Sequence, residues 1–260
     1  MDEKLITRLG DELHEALCAR KTLAPLTSRH PEITIEDAYR VQQQMISRRL
    51  AGGARVVGKK IGVTSRAVMN MLGVGQPDFG YVLDDMIYSE GQSIPMASLI
   101  QPRAEGEIAF ILKKDLAGPG VTPAAVLAAT EGVMACFEIV DSRIRDWKIR
   151  IQDTVADNAS CGVFVIGEAR IKPRDLDLAA VKMDIDKNGA HIASGIGAAV
   201  QGHPATAVAW LANTLGRFGI PFLAGEVILS GSLAALLPVS AGDNLRATVG
   251  GIGDCCVRFV

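Results

Sequence analysis

The chain has 260 residues, 48% of them hydrophobic, with 27 basic against 29 acidic side chains and a formal net charge of -2. That length holds one large domain, or a small domain joined to a larger one, and that apolar content fills a core. The even charge balance argues against nucleic acid or an anionic membrane surface as a partner, and no apolar run is long enough to span a bilayer.

Nothing after Met1-Asp2-Glu3-Lys4 has the apolar segment of a signal peptide. The cysteines, Cys18, Cys136, Cys161, Cys255 and Cys256, are odd in number and lack CxxC spacing, so reduced thiols in core strands of a cytoplasmic protein are expected.

Leu5, Ile6, Leu9, Leu13 and Leu17 recur at helical spacing and predict an opening amphipathic helix. A proline-marked connection over 23–31 follows. Thr34, three before Asp37, then starts a second helix with Ala38, Val41 and Met45 on one face, ending near Ala51-Gly52-Gly53. His14 and His30 fall on a solvated helix face and in a loop, and neither is given a role.

From residue 54 strands take over. Val56–Gly62 is a short strand, Ser65 caps a short helix that stops at Gly73, and 76–80 is a turn-rich loop. Further strands are expected near 87–89, 104–113, 132–141, 161–166 and 181–193, the last broken by an Asn188-Gly189 hairpin turn. A helix over about 204–217 and strands near 226–230, 244–249 and 254–259 complete the chain. Strands and helices do not alternate as a doubly wound sheet requires. The expected class is α+β, with a helical N-terminal portion over 1–54 and a β-rich catalytic domain over 55–260, forming one structural unit.

Glu105 and Glu107 stand two apart on a strand and therefore share a face. Alone, such a pair fits an exposed edge strand as well as a cation site. Glu138 is harder to place, because it interrupts a continuous apolar strand where an unpaired carboxylate costs several kcal/mol. A basic partner or a metal would explain it. Together the three glutamates supply hard oxygen ligands for Mg²⁺ or Mn²⁺, leaving positions for a substrate with adjacent oxygens such as a 2-oxo acid.

Lys59 and Lys60 must point to opposite faces, so one of them can enter a pocket. Gly58 and Gly62 leave room beside Lys60 for a close backbone or a ligand. Asp78 suits either a turn or a site, and 157–162 is a small polar loop able to bind a carboxylate. The glycines of 194–202 lack the spacing and setting of a dinucleotide fingerprint.

Six ordered motifs now carry a resemblance across nearly the whole chain: Gly58-Lys-Lys-Ile-Gly-Val-Thr-Ser65, Leu72-Gly-Val-Gly-Gln-Pro-Asp-Phe-Gly80, Pro102-Arg-Ala-Glu-Gly-Glu-Ile-Ala-Phe110, Glu138-Ile-Val-Asp-Ser-Arg143, Val155-Ala-Asp-Asn-Ala-Ser160 and Gly225-Glu-Val-Ile-Leu-Ser-Gly231. The sequence resembles the 2-hydroxypenta-2,4-dienoate (2-oxopent-4-enoate) hydratases, in the hydratase/decarboxylase branch of the fumarylacetoacetate hydrolase superfamily. The resemblance implies a mixed β-roll preceded by helices, and a divalent metal, Mg²⁺ or Mn²⁺, on Glu105, Glu107 and Glu138. It also implies catalytic roles for Lys60 and Asp78, and a place for Ser160 in the substrate pocket. The implied reaction adds water to the dienoate to give 4-hydroxy-2-oxopentanoate in meta-cleavage degradation of aromatic compounds.

The alternatives are a 4-oxalocrotonate (2-oxo-3-hexenedioate) decarboxylase or a non-catalytic subunit of one. The decarboxylases usually have an uncharged residue in place of Asp78, and a lysine and a β-branched residue where this chain has Arg103 and Ala104. Both features favour the hydratases. A homo-oligomer and a complex with a 4-oxalocrotonate decarboxylase are further expectations from the resemblance.

Overall fold

The computed structural model describes residues 1–260, the side chains of Ala67 and Met71 excepted. Helix α1 (Glu3–Ala19) and the short α2 (Leu26–Arg29) lead to α3 (Ile35–Ala51). The expected capping box is present: the Thr34 hydroxyl accepts from the Asp37 amide, and the Asp37 carboxylate accepts from the Thr34 amide. Strand β1 (Val56–Gly62), helix α4 (Arg66–Leu72), and strands β2 (Asp78–Leu83), β3 (Ile87–Ser89), β4 (Ser93–Ile94) and β5 (Pro102–Leu112) follow. Next come α5 (Pro123–Ala129), β6 (Thr130–Asp141), α6 (Ile151–Ala156), β7 (Cys161–Ile166), β8 (Lys182–Lys187) and β9 (Ala190–Ile196). Helix α7 (Pro204–Gly216) and strands β10 (Val227–Ser232), β11 (Leu237–Pro238), β12 (Asn244–Val249) and β13 (Gly253–Phe259) close the chain.

An eight-stranded mixed sheet runs β2-β1-β10-β5-β6-β7-β3, with β11 also on β5, and a five-stranded sheet runs β4-β13-β12-β8-β9. The expected helical portion followed by a mixed-sheet body is therefore present. The two sheets pack face to face at Gly106, where an added Cβ would lie 2.5 Å from the Met183 sulfur and 2.9 Å from the Ile185 side chain. The other face of the large sheet carries the polar cluster described below.

Three sequence expectations need correction. Asp78, Phe79 and Gly80 are not a loop but the start of β2, since β1 offers them a ladder from Gly62↔Asp78 onward. Helices α5 and α6 arise where only loops and strands were expected. Each is a short segment held by its neighbours rather than by a long amphipathic pattern. Cys18 lies exposed on α1, and only Cys136, Cys161 and Cys255 are buried in strands. Strand β1 lies between β2 and β10, and both of its lysines are buried.

The N-terminal helices bury Ile6, Leu9, Leu13, Val41 and Met45 together with Ile144, Ile151 and Val155, so they share a core with α6. From the apolar stripe of α3, the fully buried Gln42 donates to Phe79 O at 2.8 Å and to Val155 O at 3.1 Å. Tyr39 stacks on Phe79, ring centroids 4.5 Å apart. The free edge of β2 is sealed a second time by Asn158, whose amide accepts from Tyr81 N at 2.8 Å and donates to Tyr81 O at 2.9 Å. One side chain thus stands in for a neighbouring strand, joining the end of the sheet at β2 to the entry of β7.

Removing that amide leaves a buried N–H and C=O on Tyr81 unpaired, each costing about 1–3 kcal/mol. Asn158→Ala is expected to lower unfolding stability by about 2–4 kcal/mol, read as a shifted urea midpoint with an unchanged slope.

Candidate active site

Pairing of β5 with β6, in register from Pro102 to Ile111, sets Glu105 directly across from Glu138, and Glu107 across from Cys136. Same-face neighbours on paired antiparallel strands lie about 4.5–5.5 Å apart at Cβ. One carboxylate oxygen from each of Glu105, Glu107 and Glu138 falls within 4.8 Å of the others. Glu107 and Glu138 are fully buried, and Glu105 is half-buried.

Strands β1 and β2 add the remaining charged groups. Lys60 Nζ lies 3.1 Å from Glu138 Oε1, a charge contact without hydrogen-bond alignment. Lys59 faces the opposite side of the sheet, where it is paired with Glu226 at 2.5 Å. The glycines distinguish the two. Gly58 and Gly62 stand two either side of Lys60 and so share its face. An added Cβ at Gly58 would lie 1.9 Å from Val227 O, and at Gly62 2.2 Å from Asp78 Oδ1 and 3.5 Å from Lys60 Nζ. Gly62 is the space into which the Asp78 carboxylate fits.

Two further residues shape the site without a sequence signal of their own. The register of β10 against β5 slips between Leu229 and Ser232, and the bulge contains Gly231 at φ 107°. This conformation presents the Gly231 N–H to Glu107 Oε2 at 2.8 Å. Arg143, buried, donates to Asp157 Oδ1 at 2.5 Å and to Cys161 O at 3.0 Å, while the Ser142 hydroxyl donates to Asp157 Oδ2 at 3.0 Å. This clamp holds Asn158, Ala159 and Ser160, three successive non-glycine residues at φ 50–54°, a conformation that costs about 1–3 kcal/mol each unless the surroundings enforce it. Ser160 is buried, its hydroxyl 3.2 Å from the Thr154 hydroxyl, directly before Cys161.

Burial dominates the protonation of these groups. It pushes the Glu105 carboxyl up to about 7, with Glu138 adding to the rise and Lys60 opposing it. Glu107 is driven well above the usual carboxylate range by burial, then by Glu138 and Glu105. Asp78 is pushed up to about 6 by burial, against the pull of Lys60. Burial works against the Lys60 ammonium, but Glu138 and Asp78 outweigh it and hold its pKa above the ordinary lysine value.

The residues fit a hard divalent cation. Both Glu138 oxygens, Glu107 Oε1 and Asp78 Oδ1 are buried without a hydrogen-bond partner. Buried carboxylates left so are costly unless a cation takes them. Of the sequence alternatives for Glu138, the basic partner is present as Lys60, and the clustered carboxylates fit the other, a metal.

A carboxyl with a raised folded pKa binds protons more tightly folded than unfolded. Its contribution to stability is present below the ordinary value of 4.5 and is lost as pH rises through about 7. Metal needs the deprotonated form. The gain in melting temperature from saturating Mg²⁺ or Mn²⁺ is therefore expected to grow as pH rises from 4.5 to about 7. Calorimetry in buffers of different ionisation enthalpy should show protons released on binding, and fewer in Glu107→Gln.

The model of the fumarylacetoacetate (FAA) hydrolase C-terminal family matches residues 61–260. The chain is 63% identical to the 2-hydroxyhexa-2,4-dienoate hydratase of Comamonas testosteroni over 260 residues, 99% of this chain and 98% of that protein. It is also 63% identical to the 2-hydroxypent-2,4-dienoate hydratase of Pseudomonas putida over 221 residues, 85% of this chain and all of that one. Among solved structures, the 4-oxalocrotonate decarboxylase of Pseudomonas putida G7, complexed with magnesium and adipate, superposes with a TM-score of 0.97 at 35% identity, covering 100% of this chain and 99% of that chain.

Proposed function

The chain belongs to the fumarylacetoacetate hydrolase family, and we propose that it is a metal-dependent hydro-lyase adding water to 2-hydroxypenta-2,4-dienoate to give 4-hydroxy-2-oxopentanoate. The observation that carries this reading is the buried cluster of Glu105, Glu107, Glu138, Lys60 and Asp78, in a chain 63% identical to two dienoate hydratases. The 4-oxalocrotonate decarboxylase shares the fold at 35% identity, which makes decarboxylation the second reading.

Glu105, Glu107 and Glu138 would hold the divalent cation, whose chemistry is Lewis-acid stabilisation of negative charge on the oxygens of a 2-oxo acid. Lys60, kept as an ammonium by Glu138 and Asp78, is a donor and a positive charge toward the substrate's 2-oxygen, and is unsuited to act as a base near neutral pH. Asp78, pushed up to about 6, can both take and give a proton there. Ketonisation delivers a proton to the chain end and leaves a conjugated 2-oxo-3-enoate. Water adds at C4, and a proton returns to C3. Asp78 serves these transfers, and Ser160, buried directly before Cys161, would contribute to substrate binding. Homo-oligomerisation, and association with a 4-oxalocrotonate decarboxylase that would feed on a related substrate, belong to the same proposal.

Freshly generated 2-hydroxypenta-2,4-dienoate is expected to lose its ultraviolet absorbance in the presence of the protein and Mg²⁺ or Mn²⁺, with 4-hydroxy-2-oxopentanoate as product and no CO₂. Asp78→Asn should lower kcat by about 10²–10⁴-fold, the usual contribution of a positioned acid–base group, and leave metal affinity nearly intact. Metal-dependent CO₂ release from 2-oxo-3-hexenedioate without hydration would favour the decarboxylase instead.

A further inference from the structure

The cluster leaves a charge problem for an anionic substrate. Glu105, Glu107, Glu138 and Asp78 are four carboxylates facing one ammonium, Lys60. With a divalent cation and the acids ionised, one negative charge remains uncompensated, and a carboxylate approaching it is repelled. The other buried cations are already committed, Lys59 to Glu226 and Arg143 to Asp157.

Arg103 is not committed. It stands two residues before Glu105 in an unbroken register, opposite Val140, so it lies on the same face of β5 as Glu105 and Glu107. Two strand residues span about 6.5–7 Å, within reach of an arginine side chain. Its guanidinium carbon lies 4.6 Å from the centroid of the Trp147 ring, and among the described residues it has no acidic partner. Trp147 is itself fixed, donating from Nε1 to Gln101 O at 3.0 Å. A stacked arginine keeps its planar fork of donors free for a carboxylate.

Exposure gives the direction of the cavity. Glu107 is fully buried, whereas Glu105 and Arg103 are half-buried, so β5 opens to solvent toward Arg103. Lys60 and Asp78, at most 2% exposed, lie at the closed end. The geometry points to Arg103, stacked on Trp147, as the residue that receives the carboxylate head of a 2-oxo acid at the mouth of the site. The rest of the substrate then points inward, its 2-oxygen toward Lys60 and its unsaturated tail toward Asp78. Arg103 sets the polarity of binding and offsets the residual negative charge. This rests on the hydratase reading for the identity of the substrate, but not for the recognition of a 2-oxo acid head.

Pyruvate carries that head without a reactive tail, so it separates recognition from turnover. Calorimetric titration of pyruvate into the Mg²⁺-loaded protein is compared for wild type, Arg103→Met and Arg103→Gln, with steady-state hydration and Mg²⁺ affinity measured in parallel. Loss of a charge-assisted fork is expected to weaken pyruvate binding and raise KM by about tenfold or more, with kcat within about threefold. Mg²⁺ should bind the metal-free variants as tightly as wild type or more tightly, since a neighbouring positive charge is gone. A merely structural role would weaken metal binding instead. Unchanged pyruvate affinity in both variants, or parallel loss of metal affinity, overturns the assignment. A wild-type protein that binds pyruvate through Arg103 yet hydrates nothing would contradict the hydratase reading and leave this one standing.

Discussion

Burial of negative charge is the constraint around which this structure is arranged. Glu107, Glu138 and Asp78 are each at most 2% exposed, and Glu105 completes the group on a half-buried position. Desolvating one carboxylate costs several kcal/mol, and desolvating neighbours of like sign costs more. Lys60 offsets part of this, and Gly231 N–H stabilises Glu107, but four carboxylate oxygens still lack a partner within the protein. The metal-free chain meets that cost by holding protons, and a divalent cation would meet it by coordination. In the proposed reaction the same residues would serve stability in one state and chemistry in the other.

Holding the cluster requires rigid neighbours, and the fold supplies them on every side. The β5–β6 ladder fixes Glu105 against Glu138 without a bulge in between. Glu226 and Glu138 each take one of two adjacent lysines, on opposite faces, which opposes a one-residue slip of β1. The Arg143–Asp157 clamp and the Asn158 amide hold the strained turn before β7 against the edge of β2. From the helical portion, Gln42 ties the residue next to Asp78 to the helix that precedes the same turn. The N-terminal helices thereby bear on the geometry of the site without contributing a charged group to it.

Much of this was legible in the sequence because alternation on strands is a local property. The shared face of Glu105 and Glu107, the oddity of Glu138 in an apolar run, and the glycines flanking Lys60 all follow from period two. The turn at Asn188-Gly189, with φ of 55° and 82°, is equally local. What escaped depends on partners distant in sequence. Asp78 resembled a turn residue because Pro77 and Gly80 flank it, and only the ladder with β1 makes it a strand. The bulge at Gly231 exists because β5 and β10 fall out of step, which neither strand states alone. Gln42 was visible as a polar residue inside an apolar helical stripe, yet its two acceptors lie 37 and 113 positions away.

The central claim is that one divalent cation is held jointly by Glu105, Glu107 and Glu138 on the paired strands β5 and β6. It is tested most directly by a crystal structure of the Mn²⁺-loaded protein with anomalous difference density. The account predicts a single strong peak per chain, about 2.0–2.4 Å from an oxygen of each glutamate, with further positions open toward Arg103. A peak bound elsewhere, or none between the three carboxylates at saturating Mn²⁺, would contradict it.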